Sequence, residues 1–206
     1  MDNVLPFKKK NNCLQPLWDS VFFQSLLDTA DERFFARGLF DHFEHFYDPG
    51  FYVYSFPGEV GFSVRADELA KHLLLGGFDH LFGYYVNFVW GEKFKFDGQQ
   101  SRIPDVSIFI IGTNTKPHTQ LMEILVEIDG SIHRKPHISA HDRYKDQWAI
   151  NSGQIPLRIN SEDVQENLPK TLILLLEVID NELWKIIKTV KHHFGPFADC
   201  HGKRRD

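Results

Sequence analysis

Two apolar segments joined by a turn-rich connector place the strongest constraint on how this chain can fold. Residues 106–111 and 121–128 are mostly aliphatic and β-branched, and the connector GTNTKPH between them consists largely of turn-forming residues. Apolar runs of this length that are bounded by turn residues are typical of buried strands. The pattern therefore predicts a β-hairpin whose loop is centred near residue 116 or 117.

Three carboxylates bracket one end of this predicted hairpin. Asp105 precedes the first strand, whereas Glu127 and Asp129 lie at the end of the second. The hairpin register places Asp105 opposite residues 127–129, and residues two apart on a strand point to the same side. Because gathered carboxylates repel one another unless a cation or proton offsets them, this oxygen-rich cluster indicates an Mg²⁺ or Mn²⁺ site. The alternative is that the strand ends simply carry solvated acids.

The remainder of the chain predicts helices and further strands around the hairpin. The segment 130–139 contains Pro136 and is expected to be irregular, and Gly153 is expected to end the helix that precedes it. This order of elements predicts an α/β fold with a mixed central sheet flanked by helices. The predicted helices cover residues 18–46, 63–75, 140–151 and 168–193, and the predicted strands lie within 51–56, 82–96 and 155–159.

The last predicted helix carries an apolar stripe at helical spacing. Such a stripe is typical of a helix that faces the core, and the alternative is a helix that binds a partner or a second copy of the chain. The stripe consists of Leu172, Leu175, Ile179, Leu183, Ile186 and Val190.

The length of the chain predicts a single domain. With 206 residues it can bury a core without disulfide or metal crosslinks. We expect this domain to cover residues 17–194, with flexible tails on either side of it. The expected tails are residues 1–16 and 195–206, and the domain divides into extra elements at 17–80, a core at 80–165 and a C-terminal helix at 168–193.

The charge and the cysteines of the chain restrict its partners and its compartment. A net charge of −5 excludes a protein that coats nucleic acid by bulk charge, although it permits an enzyme that contacts nucleic acid locally. Cys13 and Cys200 are far apart and form no CxxC motif, which fits a reducing cytoplasm. The chain also lacks a secretory signal pattern and a membrane-length apolar run. We therefore expect a cytoplasmic protein without a membrane partner.

The segment EIDGSIH at residues 127–133 resembles the E-x-D-G-x-x-H motif of endonucleases related to the very-short-patch repair nuclease, a branch of the PD-(D/E)XK superfamily. Pro104-Asp105 is similar to the PD element of that superfamily. The helix motif D-x-x-(R/K)-D is matched by residues 142–146, and a glycine, short strand and arginine are matched by residues 153–159. The resemblance covers roughly residues 100–165 of the chain.

This resemblance implies a restriction-endonuclease-like core of helix-β-β-β-helix-β order and metal-dependent cleavage of phosphodiester bonds, in DNA rather than RNA. It implies that Asp105 and Glu127 are ligands of Mg²⁺ or Mn²⁺, with the carbonyl of Ile128 as a third ligand. The chain departs from the superfamily at Asp129, which stands where a lysine is usual, although an acid is common there in this branch. We predict that Lys145 on the following helix, or else His133, supports the attacking water.

Several alternatives remain open at the level of the sequence. The resemblance implies a further acid from an upstream helix, and both Glu32 and Glu68 qualify. The chain could instead be a non-catalytic nucleic-acid-binding or assembly module that retains a nuclease-like fold. A third hypothesis is a zinc site formed by His133, His137 and His141, which are spaced by four residues. The expected partner is a nucleic acid, and the chain could act as a homodimer or within a larger DNA-processing assembly.

Overall fold

The secondary structure is known from a computed structural model, which describes residues 15–46, 51–56, 59–66, 69, 84–96, 100–112, 119–130 and 136–194. In this part of the chain the helices are α1 (Gln15–Trp18), α2 (Val21–Gln24), α3 (Ala30–Phe46), α4 (Pro136–Asn151) and α5 (Ser161–Phe194). The strands are β1 (Phe51–Phe56), β2 (Glu59–Arg65), β3 (Tyr84–Trp90), β4 (Phe94–Phe96), β5 (Gln100–Arg102), β6 (Val106–Gly112), β7 (Thr119–Asp129) and β8 (Ile155–Asn160).

One mixed sheet organises the described part of the molecule. Its strand order is β1-β2-β3-β6-β7-β8, while β4 and β5 pair separately. Neighbouring strands run antiparallel from β1 to β7, and β8 lies parallel to β7. A parallel return needs a crossover connection, and α4 lies in the segment that makes it. The predicted α/β class, with a mixed sheet flanked by helices and a long C-terminal helix, is confirmed.

The hairpin predicted from the two apolar segments is present as β6 and β7. Val106 pairs with Val126 and Ile108 pairs with Ile124, in the register that the sequence predicts. The register shifts only beyond Ile110, towards the loop and away from the carboxylates. The pairing ends at Val106 and Val126, and just beyond it the Asp105 carboxylate accepts a hydrogen bond from the amide of Ile128, so the two strand ends lie next to each other.

An aromatic cluster packs α3 against the sheet. Phe43 of α3 contacts Phe62 of β2 and Phe88 of β3, with ring centroids 5.2 Å and 5.0 Å apart. Phe62 and Phe88 stack on each other at 4.8 Å, and Phe40 meets Trp90 edge-on at 5.4 Å. Rings in these arrangements attract beyond their burial. Much of the phenylalanine in this chain therefore forms core.

The apolar stripe of the C-terminal helix also faces the core. Leu172, Leu175, Ile179, Leu183 and Ile186 are all buried, and α5 packs against α3. The core-facing interpretation of the stripe is therefore confirmed for these five positions. The side chain of Val190 lies outside the described residues.

The single helix predicted over residues 18–46 is interrupted. α3 carries the expected apolar face, but the preceding segment is divided into short turns. The hydroxyl of Ser20 accepts a hydrogen bond from Phe23 N at 3.4 Å, and that of Thr29 accepts one from Glu32 N at 3.1 Å. Hydroxyl side chains favour helix N-caps, so each of these residues starts a new helix. Residues 15 and 16, expected in the tail, belong to α1.

The helix predicted over residues 63–75 is wrong at its start. Ser63 belongs to β2 and pairs with Tyr52 on one side and Asn87 on the other. Val64 is fully buried in the same strand. Pairing on both edges of a strand outweighs a local helical pattern.

The boundaries of the last two helices also differ from the prediction. α4 begins at Pro136, within the segment expected to be irregular, because proline is well suited to the first position of a helix. α5 begins at Ser161 and contains a non-helical residue, Asn167, at φ −153° and ψ 67°. This kink precedes Pro169, whose ring disfavours a helical conformation at the residues before it.

Several predictions fall on residues outside the described part of the chain. These are the tails at 1–14 and 195–206, the hairpin loop at 113–118, most of 67–75, and the candidate site residues Glu68 and His133. Among the described residues, no helix has both the length and the apolar character needed to span a bilayer.

Candidate active site

Asp105 is fixed at the end of the β6–β7 hairpin by two backbone contacts. Its amide N–H donates to the carbonyl of Val126 at 3.0 Å. Its carboxylate Oδ2 accepts a hydrogen bond from the amide of Ile128 at 2.6 Å. The side chain therefore continues the ladder where the strand pairing itself has ended.

The electrostatic setting of Asp105 strongly favours its protonated form. Burial, as the largest cause, and the negative charges of Glu32, Glu127 and Asp129 together raise the pKa of this carboxyl to about 7, against the opposing effect of the Ile128 hydrogen bond. A carboxyl surrounded in this way is a place where a cation would bind in exchange for the proton.

Glu127 and Asp129 lie on one side of β7 and share a single arginine. Arg158 of β8 pairs with Glu127 in the parallel register. Its Nη2 lies 2.9 Å from Glu127 Oε2, and its Nη1 lies 2.9 Å from both carboxylate oxygens of Asp129. The positive charge of Arg158 thus offsets the negative charges of these two carboxylates on β7.

Helix α4 adds two more carboxylates to this arginine. Arg158 makes a two-pronged contact with Asp146, from Nε at 2.8 Å and from Nη2 at 2.9 Å. Asp142, one helical turn earlier, lies 3.9 Å from Nη2. Burial alone would lower the pKa of Arg158, but the hydrogen bonds that it donates to Asp146 and Asp129 outweigh this effect and raise that pKa. We call Arg158 and these four carboxylates the arginine cluster.

One of the two acids considered for the upstream helix, Glu32, acts electrostatically on Asp105. Glu32 lies in the first turn of α3, is only 8% exposed, and is close enough to raise the pKa of Asp105. Its Oε2 accepts a hydrogen bond from the amide of Asp28 at 2.8 Å, so it also caps the helix. Glu32 therefore joins the site, whereas Glu68 lies outside the described residues.

The carbonyl of Ile128 is directed towards the same side of β7 as Asp105. In an extended strand the N–H and C=O of one residue point the same way, and the Ile128 N–H donates to Asp105. A hard cation at Asp105 could therefore use this carbonyl as well as a carboxylate. All these donors are oxygens, which suit Mg²⁺ or Mn²⁺.

The remaining predicted site residues are distributed along α4 and the loop before it. Lys145 is half-buried on α4, beside Asp146 and three residues after Asp142, so it lies next to the arginine cluster. His133 lies outside the described residues, and nothing is known of its contacts. His141 is exposed on α4. Among the described residues, no group of three His, Cys, Asp or Glu side chains is arranged to hold a metal.

Sequence reasoning missed the central position of Arg158. It identified the residue only as part of a motif, and it placed Asp129 in the metal-binding carboxylate cluster without its arginine partner. The spacing of Asp142 and Asp146 by four residues does place both on one helix face. That spacing, together with one arginine inside the short apolar strand β8, is the signal that could have predicted the cluster.

Comparison of the chain with protein-family models, with curated proteins and with solved structures gave no match.

Proposed function

We propose that this protein is a divalent-metal-dependent endonuclease that hydrolyses phosphodiester bonds, in DNA rather than RNA. The observation that carries the proposal is the setting of Asp105: a partly buried carboxyl at a strand end, hydrogen-bonded to the amide of Ile128, whose pKa is raised to about 7 by burial and by the charges of Glu32, Glu127 and Asp129. A site of this kind pairs a high local negative charge with hard oxygen donors, which is what a catalytic Mg²⁺ site requires.

The topology supports the same proposal. Helix α3, strands β3, β6 and β7, helix α4 and strand β8 follow one another in the helix-β-β-β-helix-β order of a restriction-endonuclease-like core. In this arrangement β1, β2, β4 and β5 are additions between core elements. The long separation of Glu32 from Asp105 in sequence then has a structural reason, because an inserted pair of strands lies between them.

Each residue of the site has a distinct role in the proposed reaction. Asp105, Glu127 and the Ile128 carbonyl would hold Mg²⁺ or Mn²⁺. When bound, such an ion supplies positive charge against the developing charge of the phosphate and makes water a better nucleophile. Lys145 or His133 orients the attacking water. Asp129 and Arg158 are positioning residues, because their contact fixes the end of β7 that carries Glu127.

A specific observation also favours a second candidate function. Arg158 already offsets Glu127 and Asp129 with its own charge at 2.9 Å, so the cluster holds together without a metal. This balance is what a non-catalytic nucleic-acid-binding or assembly module would need if it retained a nuclease-like fold. The two functions differ in whether the Asp105 site binds a cation and supports cleavage.

Cleavage assays separate the two functions. The purified chain is incubated with supercoiled, linear and single-stranded DNA and with RNA, in the presence of Mg²⁺ or Mn²⁺. We expect DNA cleavage by the wild type, and a loss of at least about a hundredfold in Asp105→Asn and in Glu127→Gln. Glu177→Gln, which neutralises an exposed carboxylate on α5, is the matched control and should cleave like the wild type.

Two results would argue against the endonuclease. One is the absence of cleavage under every condition with a folded wild-type protein. The other is equal cleavage by Asp105→Asn, Glu127→Gln and the wild type, which would indicate a contaminating nuclease. DNA binding that is accompanied neither by cleavage nor by Mn²⁺ binding at the Asp105 site would favour the non-catalytic module. A homodimer or a larger DNA-processing assembly stays a prediction, which the mass of the purified protein in solution would test.

A further inference from the structure

A second group of buried oxygens lies on the same face of the sheet, away from Asp105. Four of its atoms have no hydrogen-bond partner: Asn87 Oδ1, Glu92 Oε2, Ser107 Oγ and Glu123 Oε1. Ser107 is only 1% exposed and Glu123 only 7% exposed. Buried polar atoms without partners are costly and call for a physical reason. We call these four residues the oxygen cluster.

Strand pairing places three members of the oxygen cluster, Asn87, Ser107 and Glu123, on one face of three neighbouring strands. Phe109 of β6 pairs with Asn87 on one side and Glu123 on the other. Ser107 lies two residues from Phe109, so it points to the same face. Asn87 and Glu123 are then diagonal neighbours of Ser107 on the two adjacent strands, within reach of their side chains.

Glu92 enters the cluster from a turn. Gly91 has a positive φ of 83° at the end of β3, a conformation that glycine adopts without strain, and Glu92 follows it. The hydroxyl of Ser107 lies near Glu92, outside hydrogen-bond geometry, and favours its charged form, whereas the charges of Glu123 and Glu59 oppose it. Burial and these neighbours raise the pKa of Glu92 to about 7. Glu92 therefore lies close to both Ser107 and Glu123.

The second oxygen of Glu123 is held in place from the opposite side. Its Oε2 accepts hydrogen bonds from Gln154 at 2.9 Å and from Gln120 at 3.1 Å. Its Oε1 is left without a partner and buried. The two amides thus orient the carboxylate, as outer-shell residues orient a metal ligand.

We infer that the oxygen cluster binds one hard divalent cation, with Glu92 and Glu123 as charged ligands and Ser107 and Asn87 as neutral ones. Two carboxylates and two neutral oxygens, completed by water, are a donor set typical of Ca²⁺, Mg²⁺ or Mn²⁺. The site is separate from the one at Asp105, because Glu123 and Glu127 are four residues apart on one strand, about 13 Å. It anchors the turn after β3 to the middle of the sheet.

The inference is tested by calorimetric titration of the Asp105→Asn protein with Ca²⁺, Mg²⁺ and Mn²⁺. This variant lacks the carboxylate of the Asp105 site, so the titration reports on the oxygen cluster. We expect one equivalent of at least one of these ions to bind. Binding should weaken at least about tenfold when Glu123→Gln or Glu92→Gln is added, and Glu177→Gln in the same background should leave it unchanged. Glu92→Gln alters a residue outside the sheet, so it remains informative if Glu123→Gln fails to fold.

Two results would overturn this inference. The first is no binding of any of the three ions to folded Asp105→Asn protein, as expected if the two carboxyl groups share a proton instead. The second is binding that neither glutamine substitution changes. The endonuclease proposal fails on different results. These are the absence of cleavage and an ion stoichiometry that is the same in the wild type and in Asp105→Asn.

Discussion

Arg158 on β8 holds Asp129 on β7 by one guanidinium nitrogen that lies 2.9 Å from both carboxylate oxygens. The contact joins the two parallel strands at the point where the candidate metal ligands are grouped. Since the same guanidinium also meets Glu127, Asp142 and Asp146, one positive charge offsets four negative ones. The stability of this end of the sheet therefore depends on a single side chain.

Replacing the arginine should destabilise the fold. The Arg158 side chain is 22% exposed. The substitution Arg158→Leu leaves the four carboxylates of the arginine cluster without their common cation. We expect the free energy of unfolding to fall by about 2–4 kcal/mol, measured by urea denaturation. Added Mg²⁺ should recover part of this loss.

An exposed arginine provides the control for this experiment. Arg37 pairs with Asp41 one turn along α3, and both side chains are more than a third exposed. Ion pairs of this kind contribute about 1 kcal/mol or less. A loss in Arg37→Leu as large as that in Arg158→Leu would contradict the central role of the arginine cluster.

Neutralising Asp105 should stabilise the metal-free protein at neutral and alkaline pH. The pKa of this carboxyl is raised from 3.8 to about 7 on folding, so the folded protein keeps a proton that the unfolded chain releases. The contribution of Asp105 to stability therefore falls as the pH rises from about 4 to 7. Asp105→Asn removes the ionisable group and retains an acceptor for the Ile128 amide.

The free energy of unfolding of Asp105→Asn should exceed that of the wild type by about 2–4 kcal/mol at pH 8, and the two should differ little at pH 4. Urea denaturation of both proteins in a chelating buffer, at several pH values, measures the difference. Saturating Mn²⁺ should reverse the order at pH 8, because binding at the Asp105 site stabilises only the protein that keeps this ligand, whereas binding at the oxygen cluster stabilises both proteins. A gain in Asp105→Asn that does not change with pH would contradict this account of Asp105.

The parts of the fold that rest on local pattern were predictable. The hairpin and its register follow from two apolar runs and one turn-rich connector, so the pairing of Val106 with Val126 could be predicted within one or two residues. That register brings Asp105 to the end of β7 that carries Glu127 and Asp129. Ser63 shows the limit of local pattern. A helix was predicted there, but the residue lies in a strand because it pairs with two other strands.

The tertiary relations of the site were not predictable from one sequence. Glu32 approaches Asp105 because α3 packs across the sheet, with the inserted β1 and β2 between the two residues in the chain. Arg158 meets Asp129 because β8 returns parallel to β7. The local sequence pattern does not indicate that Glu32 lies near Asp105 or that Arg158 contacts Asp129. It does indicate which residues share one face of a strand.

Gly153 should be sensitive to substitution because of its backbone conformation. It follows α4 with a positive φ of 80° and has open space around its Cα. Alanine there meets no neighbour but must adopt a left-handed conformation, which costs about 1–2 kcal/mol. Gly153→Ala should therefore lower the free energy of unfolding by that amount in chemical denaturation. Gly130, also in open space but without a positive φ, is the matched control, and an equal loss in Gly130→Ala would contradict the argument.

Gly38 should be sensitive for the opposite reason, which is lack of space. It lies inside α3, where alanine normally improves helix stability by about 1 kcal/mol. A Cβ at this position would lie 3.0 Å from Leu168 Cγ and still closer to a terminal methyl group of that side chain, so the Leu168 side chain would have to move from its place between α3 and α5. We expect Gly38→Ala to destabilise the protein by about 1–3 kcal/mol, as overpacking does. The double variant with Leu168→Ala should recover much of this loss in a double-mutant cycle of urea denaturation. If the two losses are additive, Gly38 and Leu168 are not in contact and the packing of α3 on α5 differs from that described here.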